Sequence, residues 1–278
     1  MKKPINIDKL TVQDIEYVLG PYPSLGFVPI TEADLGNGDY YGLYWPLGRE
    51  NEEPIICDML HDEWSLQLAF SSTDKFIEYL DLNEWFRGEN EVSDEDFAPF
   101  YYMKARDFLS KNNIDEAINY LKLAIKSFPE DCEYWFSLSS QLRRTGNIEE
   151  SVKSAVNAFV GNWVFSLPPQ GVLRMLQNNT AKEILPNDPI IKRASNITMS
   201  FGGEKENNNY PLLKECIEEY FEQGESIKRL SLYQNYAYMM YSETKAFQER
   251  YNFNLKEWQN EYSRLCEEKL GDNRRYDS

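Results

Sequence analysis

The sequence predicts a small α+β module followed by an all-α helical-repeat domain. Three observations carry that prediction. Short aromatic and β-branched runs separated by turn formers occupy the N-terminal third. From Phe97 the apolar residues fall at helical spacing and continue so to Leu270. Inside that region two stretches echo each other 34 residues apart: Tyr101 answers to Trp135, Phe108 to Leu142, Ala117 to Ser151 and Ala124 to Ala158.

The elements follow in order. Thr11–Leu19 reads as a short helix, and Pro21, Pro23, Gly26 and Pro29 punctuate an extended stretch after it. Asp34–Asp39 is a turn, because Gly36, Asn37 and Gly38 supply the positive φ that tight turns need. Tyr40–Leu47 is a strand on its aromatic content, and Pro54–Leu60 is its partner across the polar connection Gly48–Glu53. Ser65–Phe70 reads as a third strand. Ser72 then caps a helix with Phe76, Ile77 and Leu80 on one face and Trp85 near its end. The acidic run Glu89–Asp96 is the expected linker, which sets the module at residues 1–88 and the helical domain at 97–278.

The clearest repeats span 97–161. Tyr101, Ala105, Phe108, Ala117, Leu121, Ala124 and Pro129 form one copy; Trp135, Ser139, Leu142, Gly146, Ser151, Ala155 and Ala158 form the next. Large residues early on one helix, and small ones where two helices approach, resemble tetratricopeptide repeats, whose period is about 34 residues. That resemblance implies a stacked scaffold with a groove for a partner. Beyond it, Pro168 and Pro169 open a helix, Asp188-Pro189 open another over Ile190–Thr198, and Phe201–Asn209 is a loop. Tyr210–Gln223, Ser226–Asn252 and Leu255–Leu270, with Asn254 as a cap, extend or close the stack. Gly271–Ser278 is polar and expected to fray.

Charge is unevenly placed. Of 46 acids and 29 bases, residues 1–100 hold 21 and 6, leaving 25 and 23 for the rest, so balances of −15 and −2 make up the net −17. A field of that sign disfavours nucleic acid and anionic membrane and attracts a basic protein partner. No apolar run approaches the ~20 residues of a membrane span, and the basic start leads into no apolar segment. Cys57, Cys132, Cys216 and Cys266 are scattered, which suits a reducing cytosol better than a disulfide framework or a zinc site.

Little points to catalysis. The single histidine, His61, stands in His61-Asp62-Glu63, which reads as a polar turn. No nucleophile elbow, zinc-protease motif or phosphate loop is present. Glu52-Glu53 and Asp94-Glu95-Asp96 lack the alternate spacing of a calcium loop. No enzyme, cofactor or metal is expected.

Tyr40, Tyr41, Tyr44 and Trp45 place four aromatics in six residues, with Tyr40, Gly42 and Tyr44 facing one way and Tyr41, Leu43 and Trp45 the other. One set is expected in a core and the other partly at a surface. The run Gly38-Asp39-Tyr40-Tyr41-Gly42-Leu43-Tyr44-Trp45-Pro46, then Glu53–Asp58 and the helix through Phe76 and Leu80, resembles the central part of SUKH-superfamily domains. That resemblance covers Gly20–Trp85 and implies an immunity protein that binds and neutralises a protein toxin. The expected contacts are Tyr41, Trp45, Glu50, Glu52, Glu53, Asp62, Glu63 and Trp64. The alternative is an adaptor whose helical groove, through Tyr101, Lys104, Asn112, Ser139, Gln141 and Arg143, takes a peptide.

Overall fold

A four-stranded antiparallel sheet forms the middle of three layers. The computed structural model describes residues 9–12, 26–34, 36–63, 65–202 and 206–270. Most of the expected helix Thr11–Leu19, the residue Trp64 and the tail Gly271–Ser278 lie outside them. Strands β1 (Phe27–Pro29), β2 (Tyr40–Tyr44), β3 (Ile55–Leu60) and β4 (Ser65–Phe70) are neighbours in chain order. The sheet thus has one strand more than the sequence showed, since β1 is only three residues long. Its register sets Phe27 opposite Tyr44, and Tyr40 opposite Met59.

Helix α1 (Thr73–Leu82) begins where the sequence placed it. Ser72 accepts a hydrogen bond from the Lys75 amide, supplying the partner that a first-turn N–H lacks. Its Phe76, Tyr79 and Leu80 pack on Val28, Tyr41, Leu43, Trp45 and Ile56. On the opposite face Phe27, Tyr40, Tyr44, Cys57, Met59 and Leu66 share a core with helices α2 (Ala98–Ser110), α3 (Ile114–Ser127) and α4 (Cys132–Arg144), through Ala105, Leu121, Phe128 and Leu138. The period-2 alternation of β2 therefore holds, but both faces are covered. Segment 89–96 forms neither strand nor helix, and Asp94 binds it back to Ser71, accepting from both its amide and its hydroxyl at 2.7 Å.

The helices form hairpins: α2 with α3, and α4 with α5 (Ile148–Val160). Asn112 and Gly146, 34 residues apart, both adopt positive φ, at 56° and 82°. The amide one residue later, of Asn113 or Asn147, closes on the Phe108 or Leu142 carbonyl at 2.9 Å. After α6 (Gln170–Leu176), α7 (Asn179–Ile184) and α8 (Pro189–Arg193), the same turn recurs between α9 (Asn209–Glu222) and α10 (Ser226–Tyr241). Gly224 has φ 74°, and the Glu225 amide donates to the Tyr220 carbonyl at 2.9 Å. This third hairpin escapes sequence comparison because Arg229, Tyr233 and Tyr236 stand where Ala117, Leu121 and Ala124 stand in the first. The expected helix 226–252 is two: Thr244 caps a separate α11 (Lys245–Arg250), and α12 (Leu255–Leu270) follows with Asn254 accepting from the Glu257 amide. No helix among the described residues is long and apolar enough to cross a membrane.

A buried polar knot joins sheet and helices. The Glu130 carboxylate, just before α4, accepts from the Tyr44 hydroxyl, the Leu47 amide and, at 2.9 Å, the Asn162 side-chain amide. Asn162 also donates to the Tyr44 oxygen at 3.0 Å. From the β2–β3 loop, the Arg49 guanidinium donates to the Lys126 and Ser127 carbonyls, which are unpaired in the last turn of α3.

Asp131, beside the knot, caps α4 through the Glu133 and Tyr134 amides, and burial pushes its carboxyl up to about 6. A folded-state value above the unfolded one means that ionisation opposes folding. The penalty is full above that value and fades as pH falls toward the ordinary carboxylate range. Asn at this position keeps the cap but cannot ionise. Asp131→Asn is expected to raise the melting temperature at about pH 7.5 and to change it little near about pH 4. Equal shifts at both pH values would contradict this assignment.

Candidate protein-binding surface

The sheet fixes where the acidic module can meet a partner. Tyr41 and Trp45 lie on the α1 side of β2 and are buried, so the expectation that they stand at a surface is corrected. The reason is the third layer: α1 closes the face that a two-layer module would leave open. Glu50 is also buried, its carboxylate accepting from the Gly48 amide at 2.9 Å inside its own loop. It is therefore removed from the expected rim. Glu52, Glu53, Asp62 and Glu63 are exposed, the first two on the β2–β3 loop and the others on the β3–β4 turn. Trp64 lies outside the described residues. Among the described residues the expected contacts thus resolve into two pairs of exposed carboxylates, with Tyr41 and Trp45 inside.

His61 opens the β3–β4 turn and is tied down. Its Nδ1 lies 2.8 Å from Asp39 Oδ1 and its Nε2 lies 3.0 Å from Asp62 Oδ1; its amide also donates to Asp39 at 2.9 Å. The hydrogen bond to Asp39 raises the imidazole above the ordinary histidine range, with the charge of Asp62 adding to it. Burial pushes the Asp39 carboxyl upward, but the hydrogen bonds from His61 and Asn37 outweigh it and leave the group lowered. Both ring nitrogens face a carboxylate oxygen, an arrangement that favours the charged imidazolium. Among the described residues, no serine, threonine or cysteine side chain is hydrogen-bonded to it.

Among the described residues, an exposed apolar cluster of the module lies elsewhere. At the end of α1, Leu82 is 51% exposed, Trp85 39% and Phe86 72%. From sequence, Trp85 stands near the helix end and Phe86 carries no assignment. The signal that helix periodicity ends at Leu82 is present, but where the chain turns next depends on α1's seat on the sheet.

Two of the six residues expected in the groove on the repeats are inside, while Tyr101, Lys104, Asn112 and Arg143 stay at the surface. Ser139 is fully buried, exchanging hydrogen bonds with Ser151 where α4 and α5 meet, and Gln141 is buried beside Arg144. The open concavity beside α2 and α4, about 470 Å³, is lined instead by Tyr102, Met103, Arg106 and Tyr134. One residue along a helix turns a side chain by about 100°, so small errors in facing move a groove onto different residues.

Residues 11–89 match the model of the YfbP N-terminal domain, and residues 200–275 that of the YfbP C-terminal domain. Uncharacterized protein YfbP of Escherichia coli (strain K12) is 44% identical over 259 residues, which cover 92% of each chain. The chain belongs to the YfbP family. Its two matched segments touch in this fold: Leu47, from the first, packs on Leu230, Tyr262 and Leu265 of the second. In the family's terms, both exposed acidic pairs and the Leu82–Phe86 patch fall within the N-terminal segment.

Proposed function

We propose that the chain is a protein-binding inhibitor of the immunity type, whose acidic SUKH-like module binds a basic protein toxin in the cytosol. The helical hairpins, read as tetratricopeptide-type, hold that module. The observation that carries this reading is the −15 balance of residues 1–100, set on a module whose sheet is closed on both faces. Asp58 and Asp94 are spent on internal contacts, whereas Glu52, Glu53, Asp62 and Glu63 face outward. A surface of this kind steers a positively charged partner and repels nucleic acid and anionic lipid. The concavity at Met103 supports the second reading, an adaptor that takes a peptide against α2 and α4.

Sheet and helices share one core, so the test uses the full chain. A captured and purified target should associate more than about tenfold faster at low salt than at high salt. Glu52→Lys with Glu53→Lys should slow association and leave dissociation nearly unchanged. An association rate independent of salt would overturn the acidic-module reading.

A further inference from the structure

The turn after α1 is built to hold an apolar knuckle outside the protein. Glu84 and Trp85 have φ of 55° and 66°, two consecutive residues other than glycine in the left-handed region. Such backbone costs energy for any side chain with a Cβ and persists only when its surroundings impose it. Here they do. The Trp85 amide donates to the Leu80 carbonyl at 2.7 Å, and the Phe86 amide to that of Asn83 at 3.0 Å. The Asn83 side chain is buried and donates to the carbonyls of Tyr79 and Asn90 at 2.9 and 3.0 Å. The Tyr79 hydroxyl donates to the Gly88 carbonyl at 3.0 Å and accepts from its amide at 2.9 Å.

Arg87 anchors the far side. Its guanidinium makes a bidentate pair with Asp58 at 2.6 and 3.0 Å and lies 4.2 Å from the Tyr41 ring centre. These bonds fix the backbone of the turn, while Leu82, Trp85 and Phe86 remain exposed. The Trp85 indole is itself held, donating to Asp81 at 3.0 Å. Rigid aromatics lose little entropy on binding, which is why such residues dominate interface hot spots.

Charge selects the occupant. Between residues 78 and 91 stand Glu78, Asp81, Glu84, Glu89 and Glu91, all exposed, against one base, Arg87, already paired with Asp58. A second copy of the same knuckle would meet its own carboxylates, and an anionic membrane would be repelled. We infer that Leu82, Trp85 and Phe86 are the anchor of the binding surface, and that they enter an apolar pocket rimmed by lysine or arginine on a protein partner. This rests on the binding reading above and adds where the contact is made.

The test places a photo-crosslinking amino acid at Phe86, and separately at Met103 on α2, in the full chain expressed in its native cells. The partner joined at 86 is identified, purified and titrated against the wild type and Phe86→Ala. The expected result is a protein with a basic-rimmed pocket, bound at least about 30-fold more weakly by Phe86→Ala, whose melting temperature is unchanged. Glu84→Lys with Glu89→Lys should weaken the same complex, and the loss should shrink at high salt. Crosslinking of a partner at 103 but not at 86 would overturn the knuckle and leave a binding function standing. Capture of lipid, or of a second copy, at 86 would also overturn it. Silence at both positions would count against the knuckle and the binding reading together.

Discussion

Glu130→Ala is expected to destabilise the whole chain by about 4 kcal/mol. The substitution removes one acceptor and leaves three donors behind it: the Tyr44 hydroxyl, the Leu47 amide and the Asn162 side-chain amide. Each buried donor left without its acceptor costs about 1–3 kcal/mol. The same residue ties β2 and its following loop to the start of α4, so the loss should spread to both layers. Urea unfolding followed by far-ultraviolet dichroism, which is dominated by the helices, and by the fluorescence of a variant that keeps Trp45 as its single tryptophan, which follows the sheet, checks this. Coincident transitions, both at lower urea, are expected. A loss below about 1 kcal/mol, or a sheet that melts while the helices stay folded, would contradict the shared core.

Gly42→Ala is the second large effect, expected at about 3 kcal/mol or more. Gly42 sits in the middle of β2, opposite Pro29 on β1 and Cys57 on β3. A Cβ there would lie 2.4 Å from the Phe27 ring and 2.8 Å from the Val28 carbonyl oxygen. The ring is fully buried and the carbonyl is backbone, so neither can yield without moving β1 off the sheet. Gly36→Ala is the comparison. That residue has φ 67° and open space around it, so only conformational strain of about 1 kcal/mol is expected. Equal stability of the two variants, measured as urea midpoints, would remove close packing as the reason for glycine at position 42.

The regular elements were legible wherever local chemistry decides them. Aromatic and β-branched runs between turn formers mark β2, β3 and β4; Ser72 and Asn254 mark helix starts; the 34-residue echo marks two hairpins. What local chemistry cannot decide is what lies on either side of an element. Tyr41 and Trp45 carry the same residue types whether they meet α1 or a partner, and only the three-layer arrangement sends them inward. Glu130 and Asn162 are 32 residues apart and meet through the return of the chain after α5. The third hairpin keeps the turn at Gly224 but replaces the small residues Ala117 and Ala124 with Arg229 and Tyr236, so the echo is lost while the geometry persists.

The proposed binding surface is legible in charge and not in shape. Composition gave the acidic sign of the N-terminal third, and Glu52, Glu53, Asp62 and Glu63 are exposed there. Apolar anchors were sought on the strand because that is where aromatics are dense. Dense aromatics make a core, however, and among the described residues of the module the exposed aromatics Trp85 and Phe86 stand at a helix end where two left-handed residues redirect the chain.

Growth measures the central claim most directly. The protein captured by the full chain is expressed alone, with the wild-type chain, and with a chain carrying Phe86→Ala and Glu84→Lys. Arrest by the captured protein, relief by the wild type and loss of relief with the variant are predicted. A captured protein that leaves growth untouched, or a chain that does not relieve arrest, would contradict an immunity function.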